Sequence, residues 1–408
     1  LEESGINTIA TEVEENADGT IASLTLNQTA PAEHPVLRPH RLAVGFYDED
    51  PATGKIVRTD RFELDVDGKS TVVAAAAGKK RPAFILVNDD DLTYTKLRFD
   101  ADSLSFALAN LQRFDDALAR AVVWLSLWDM TRDGDLAAEK FIDTTLALLA
   151  TETESTTFRY ALSCMSTTAW HYTAPDRRAD VVKHVAKELW KLVIAAPGGS
   201  DQQFQLVTAY LGYGEEGDAE FAEHAQGLFD GSLIVAGLEI DNNFTWTIIN
   251  ALSSVKLIDQ AGIDAQLAKR DTTENREFAL GAHAVRGDAA AKEWAWNEAL
   301  NNADLTNMQL EAVARGVGAT PRPDLGEPYA AKYYDVVDWV WKNKSFHMAE
   351  ALLEGLYPYY ADPATLVELG HRWLADHEDA DNALKRIVRG NVESSQRTLK
   401  VRDFNAAL

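Results

Sequence analysis

Apolar positions recur every second residue up to about residue 100 and every three or four thereafter, so the pattern predicts strands first and helices after. Residues 21–27 set Ile21, Ser23, Thr25 and Asn27 against Ala22, Leu24 and Leu26, the alternation of a strand with one covered face. Residues 6–14 alternate more loosely, and Asp18-Gly19 between the two runs is a hairpin pair. A proline-bearing connector follows over 31–39. Strands are expected over 41–47, 56–66 and 71–77, separated by Asp48-Glu49-Asp50-Pro51, Asp67-Gly68 and Gly78-Lys79-Lys80-Arg81-Pro82, whose residues favour turns. Phe84 to Val87 is wholly apolar and reads as a strand covered on both faces. Asn88-Asp89-Asp90-Asp91 turns the chain, and alternation resumes with Tyr94, Lys96 and Arg98 opposite Thr95, Leu97 and Phe99. About seven short strands in roughly 100 residues predict a small β-sandwich over 1–100.

From Asp100 the pattern predicts helices. Asp102 or Ser103 is a candidate cap for a helix carrying Leu104, Leu108 and Leu111 and continuing through Leu118, Val122 and Leu125. Amphipathic segments then follow one another across short polar turns, among them 136–149, 158–170, 176–194, 273–285, 288–300, 325–341 and 363–376. The last runs over 379–401. Many helices of moderate length with short connections suit stacked antiparallel pairs, so 101–408 is expected to be an all-α, solenoid-like superhelical domain. The fold class is therefore α+β in separate domains. Most of the tryptophans among these helices, including Trp124, Trp246, Trp339 and Trp373, are expected in the core.

Composition narrows the function. The chain has 408 residues and a formal net charge of −25, which argues against nucleic acid or an anionic membrane as partner. No apolar run, 121–125 among them, is long enough to cross a bilayer. The lone cysteine, Cys164, is expected to be a buried thiol, and the absence of a disulfide framework fits a reducing, cytoplasmic compartment. The chain opens Leu1-Glu2-Glu3 without methionine, which suggests a piece of something longer.

Candidate chemistry is sparse. His371 and His377 are six apart, whereas residues facing each other on a helix are three or four apart. His34 and His40 flank the proline-bearing connector and read as loop-positioning residues. Asp89-Asp90-Asp91 lacks the glycine and distal glutamate of a calcium loop. No glycine-rich phosphate motif occurs. The terminal helix reverses the charge of the chain: Lys385, Arg386, Arg389, Arg397, Lys400 and Arg402 stand against Glu393 alone over 383–402.

Several stretches carry a resemblance. Residues 1–8, Ala32-Glu33-His34-Pro35-Val36-Leu37-Arg38-Pro39, Val87-Asn88-Asp89-Asp90-Asp91-Leu92-Thr93-Tyr94, Trp128-Asp129-Met130-Thr131-Arg132-Asp133 and Gln396-Arg397-Thr398-Leu399 are similar, in order, to the C-terminal region of bacterial-type aminopeptidase N, a gluzincin zinc metallopeptidase family. The resemblance implies a parent enzyme that removes N-terminal residues from peptides, with zinc in an upstream catalytic domain as this part's partner. It implies that this part covers the active site and restricts access. Zinc chemistry needs His-Glu-x-x-His, which none of the nine histidines forms. The chain alone is therefore expected to be inactive and to hold no cofactor or metal. A freestanding scaffold that grips a protein partner is the alternative. Arg386 and Arg389 are the candidate substrate-binding residues, on the expectation that the basic side of the last helix attracts a peptide's C-terminal carboxylate.

Overall fold

The computed structural model describes residues 5–319 and 321–408. Its strands are β1 (Thr8–Glu15), β2 (Ile21–Thr29), β3 (His40–Glu49), β4 (Ile56–Val66), β5 (Ser70–Val72), β6 (Phe84–Asp89) and β7 (Lys96–Arg98). They form a four-stranded sheet, β5-β2-β1-β7, and a three-stranded sheet, β4-β3-β6. In the β1–β2 ladder Glu14 faces Ser23 but Glu15 faces Ile21. The extra residue, Ala22, is a bulge that flips the alternation, so Ile21 joins Leu24 and Leu26 in the core. The run expected as a strand over 71–77 pairs only through Val72 and then tightens into a 3-10 turn, Ala74–Ala76.

The strands on either side of the Asn88–Asp91 turn do not pair with each other. β6 runs antiparallel to β3, and β7 lies parallel to β1 in the other sheet. Asn88, Asp90 and Asp91 all have positive φ, a conformation Asn and Asp tolerate best among non-glycine residues. The aspartates are neutralised rather than gathered around a cation. Asp89 accepts from Tyr47 Oη at 2.6 Å and from Arg58 at 2.8 Å, and Asp90 from Arg58 and Arg61, each at 2.7 Å.

The helices begin at Asp100, whose carboxylate accepts from Ser103 N, so the cap lies before the expected pair. The single long helix expected from Leu104 to Leu125 is two. The first, α1 (Ala101–Asn110), ends in a 3-10 turn, and Asp116 caps a new start at α2 (Ala117–Asp133). Then come α3 (Ala138–Leu149), α4 (Ser155–Thr167) and a π segment, Thr168–Tyr172. Strand gives way to helix at Asp100, but contacts divide the chain into two compact units after Thr168. In the first unit α1 and α2 rest on the sandwich: Phe84 packs against Phe99, Phe106 and Phe114. Lys96 and Arg98 of β7 reach Asp133 at the end of α2 at 2.6 Å.

The second unit is helical: α5 (Arg178–Ala195), α6 (Asp201–Leu211), α7 (Ala219–Asp230), α8 (Asn242–Ser254), α9 (Gln260–Lys269), α10 (Thr273–Val285), α11 (Ala289–Asn301), α12 (Asn307–Gly318), the short α13 (Pro323–Gly326), α14 (Ala330–Asn343), α15 (Phe346–Gly355), α16 (Pro363–Asp376) and α17 (Asn382–Ala406). Consecutive helices pack as pairs, and α6, α8, α10, α12, α15 and α17 each touch the next in that series. This is the layered arrangement of a helical solenoid. Acidic or hydroxyl caps start most of the helices, as at Ser200, Asp218, Asp241, Asp288 and Thr306. The large cluster between the layers contains Trp296, Tyr333, Leu352, Tyr357, Trp373 and Val388. Trp339, expected inside, is 42% exposed.

Candidate functional site

Small residues on α10, α12 and α15 let three neighbouring helices approach closely. A Cβ on Gly355 would meet Arg315 N at 2.9 Å and Ala314 C at 3.0 Å, and one on Gly316 would collide with Ala284. The same small residues leave a groove above the contact. One end, about 390 Å3, is lined by Glu311, Arg315, His347, Glu350, Glu354 and Tyr359, among others. The other, about 430 Å3, is more apolar and runs past Phe278, Gly281, Val285, Met308 and Ala312 to Glu277 and Asn250. Glu311 and Arg315 belong to both.

The charges along this groove are loosely held. Glu311 lies 3.8 Å from Arg315 and 3.6 Å from His347. Exposed pairs of this kind contribute about 0–1 kcal/mol, so they can be exchanged for contacts to a ligand. The floor is held more firmly. Tyr359 Oη donates to Asn391 Oδ1 at 3.3 Å, Asn391 Nδ2 donates to Tyr333 Oη at 2.9 Å, and Tyr333 Oη donates to Leu353 O at 2.9 Å. Burial, with Tyr357 and Glu354 nearby, pushes the Tyr359 phenol up to about 12, so it stays neutral.

The predicted arginines lie on the outward side of α17, whose inner side buries Leu384, Ile387, Val388, Asn391 and Val392. Arg386 comes within 3.8 Å of Glu350, which places it beside the groove. Arg389 is exposed one turn further on. Arg402, counted with the same basic run, is 8% exposed and points inward. His371 and His377 do not converge: His371 meets Gln396, while His377 stacks on Trp373 and bonds Asp338 at 2.9 Å. Cys164 is buried, and that burial pushes its thiol up to about 12. His40 is a buried link between Gln28 and Thr93.

Residues 84–397 match the family described as the ERAP1-like C-terminal domain. The chain belongs to that family. Aminopeptidase N of Streptomyces lividans is 34% identical over 413 residues, covering 100% of this chain and 48% of that protein, so the chain spans about half the length of this relative. The resemblance to the C-terminal region of aminopeptidase N is thereby borne out.

Zinc is what such a family implies for a catalytic site. Among the described residues of this ERAP1-like domain, no three His, Cys, Asp or Glu side chains gather to hold a metal ion. The described residues do not fit zinc. The groove can bind by charge and apolar contact. Its carboxylates and Arg315 were missed in the sequence because they are spread over α10, α12 and α15, and no local window spans the three helices. The readable signal was glycine inside helices, at Gly281, Gly316 and Gly355, where close approach of a neighbour is the usual reason.

Proposed function

We propose that this domain covers the active site of a parent aminopeptidase, next to that enzyme's own upstream catalytic domain, and limits which peptides reach it. The groove across α8, α10, α12 and α15 receives the part of a peptide that trails away from the scissile bond. Arg386 and Arg389 bind its C-terminal carboxylate, as guanidinium forks suit carboxylates. The observation that carries this reading is the continuity of the groove with the basic side of α17 through the Glu350–Arg386 pair. That pair is long and exposed, so a ligand carboxylate can compete for Arg386. A cytoplasmic setting is proposed with it, on the single, buried cysteine. Among the described residues no helix is long and apolar enough to cross a membrane.

The test uses the complete enzyme. Arg389→Ala should raise KM for tri- to pentapeptides several-fold and leave a single-residue chromogenic amide unchanged. Equal effects on both substrates would mean a structural role, and no effect on either would return α17 to a solvated surface.

A further inference from the structure

Most arginines that this acidic chain draws inward have carboxylates as partners: Arg81 has Asp100, Arg98 has Asp133, and Arg120 has the buried Glu152. One group in the helical unit breaks the rule. Arg178, at the start of α5, makes no hydrogen bond or ion pair within the described residues, and its Nε is fully buried. Arg402, near the end of α17, is 8% exposed and donates from Nε to His171 O at 2.7 Å. Its remaining donors meet no acceptor among the described residues. Tyr360, in the loop after α15, stacks on His171 with ring centres 4.6 Å apart, and its hydroxyl is likewise unmatched.

These groups share one electrostatic environment. Burial first, then Arg402 and Arg178, push His171 down to about 3, so it is neutral. Burial first, then Arg178, push Arg402 down to about 10, with Asp362 opposing. Burial likewise lowers Arg178, against Tyr360 and Glu215. Neither nearby acid is a hydrogen-bonding partner. Asp362 is engaged in capping α16 through Thr365 N and Oγ1, and Glu215 is itself pushed up by burial and Asp218. Two inward guanidiniums without a carboxylate are costly to bury. Arg402 and Tyr360 both meet His171, and Arg177, next to Arg178, donates to Asn405 O near the end of α17; guanidinium forks and a phenol gathered there are donors of the kind that bind an oxyanion.

We propose that Arg178, Arg402 and Tyr360 form a binding site for a small oxyanion of the phosphate or carboxylate type. The site is independent of the groove reading. It adjoins it in sequence, because Tyr360 follows Tyr359 of the groove floor.

Binding is measured by titration calorimetry and by thermal unfolding of the 408-residue chain at constant ionic strength in chloride, with inorganic phosphate in one arm and succinate in the other. Saturable binding in the millimolar range or tighter, with a rise in Tm that follows mass action, is expected in at least one arm. Phosphate alone would identify a tetrahedral ligand, and succinate alone a carboxylate. Arg178→Gln should weaken binding at least tenfold. Tyr360→Phe, which keeps the His171 stack, should weaken it several-fold. Arg276→Gln, altering an exposed arginine paired with Asp271, should change nothing. Failure of both anions to bind would overturn the proposal, as would binding that both Arg178→Gln and Tyr360→Phe leave intact.

Discussion

Lys292 carries its ammonium among helix ends rather than in solvent. It is 1% exposed, and Nζ donates to Ala284 O at 2.7 Å and Gly316 O at 2.6 Å, in the last turns of α10 and α12. Helix C-termini favour a cation, yet burial pushes this one down to about 7, with Asp288 opposing. An unfolded lysine titrates near 10.4. Between those values the unfolded chain holds a proton that the folded chain has released, so this lysine makes stability rise with pH from about 7 to 10, by at most about 1.4 kcal/mol per unit. Below about pH 7 both states are protonated and the dependence vanishes. The Tm of the native chain minus that of Lys292→Met should therefore increase between about pH 7 and 9.5, and parallel curves would show that Lys292 does not titrate there. Nothing in the sequence around Lys292 marks it, because i,i+4 spacing cannot show that two other helices end against the same side chain.

At the scale of elements, the groove depends on backbone approach. Gly355→Ala places a methyl within 3.0 Å of the Ala314–Arg315 backbone, and α12 or α15 must shift to admit it. The expected cost is about 1–3 kcal/mol, read as a lower Tm. In the complete enzyme it should raise KM for longer peptides more than for a chromogenic amide. An unchanged Tm would mean that the helices are free to separate. The terminal helix was legible as an element, because its apolar positions at Leu384, Ile387 and Val388 mark the covered side and leave Arg386 and Arg389 outside. The break between α1 and α2 was not. Leucines on either side kept a helical period, and the signal lay in Asp116, whose carboxylate bonds Ala119 N at 2.8 Å. The Asn88–Asp91 turn was legible as a turn, yet where it sends the chain is set by the ladders β6 and β7 join.

For the molecule as a whole, this chain belongs to the ERAP1-like C-terminal domain family and has no zinc-ligand set among its described residues. The purified chain should give no zinc-dependent turnover of an aminoacyl-arylamide, and turnover that a chelator removes would refute that. Strand and helix order and the change at Asp100 were determined by the sequence alone, because period-two and period-3.6 patterns are local and each window carries its own evidence of which face is covered; the family was legible in the resemblance of short stretches such as Trp128 to Asp133. The extent of the units was decided by tertiary structure: aromatic rings around Phe84 and the Arg98–Asp133 pair tie α1 and α2 to the sandwich, α3 packs on α1 and α2, and α4 packs on α3. Tertiary structure alone also united Glu277, Glu311, Glu350 and Arg386 along one layer, and Arg178, Tyr360 and Arg402 in one place. The first set comes from α10, α12, α15 and α17, which stacking brings together, and the second from α5, the loop after α15 and α17, and no local window spans either.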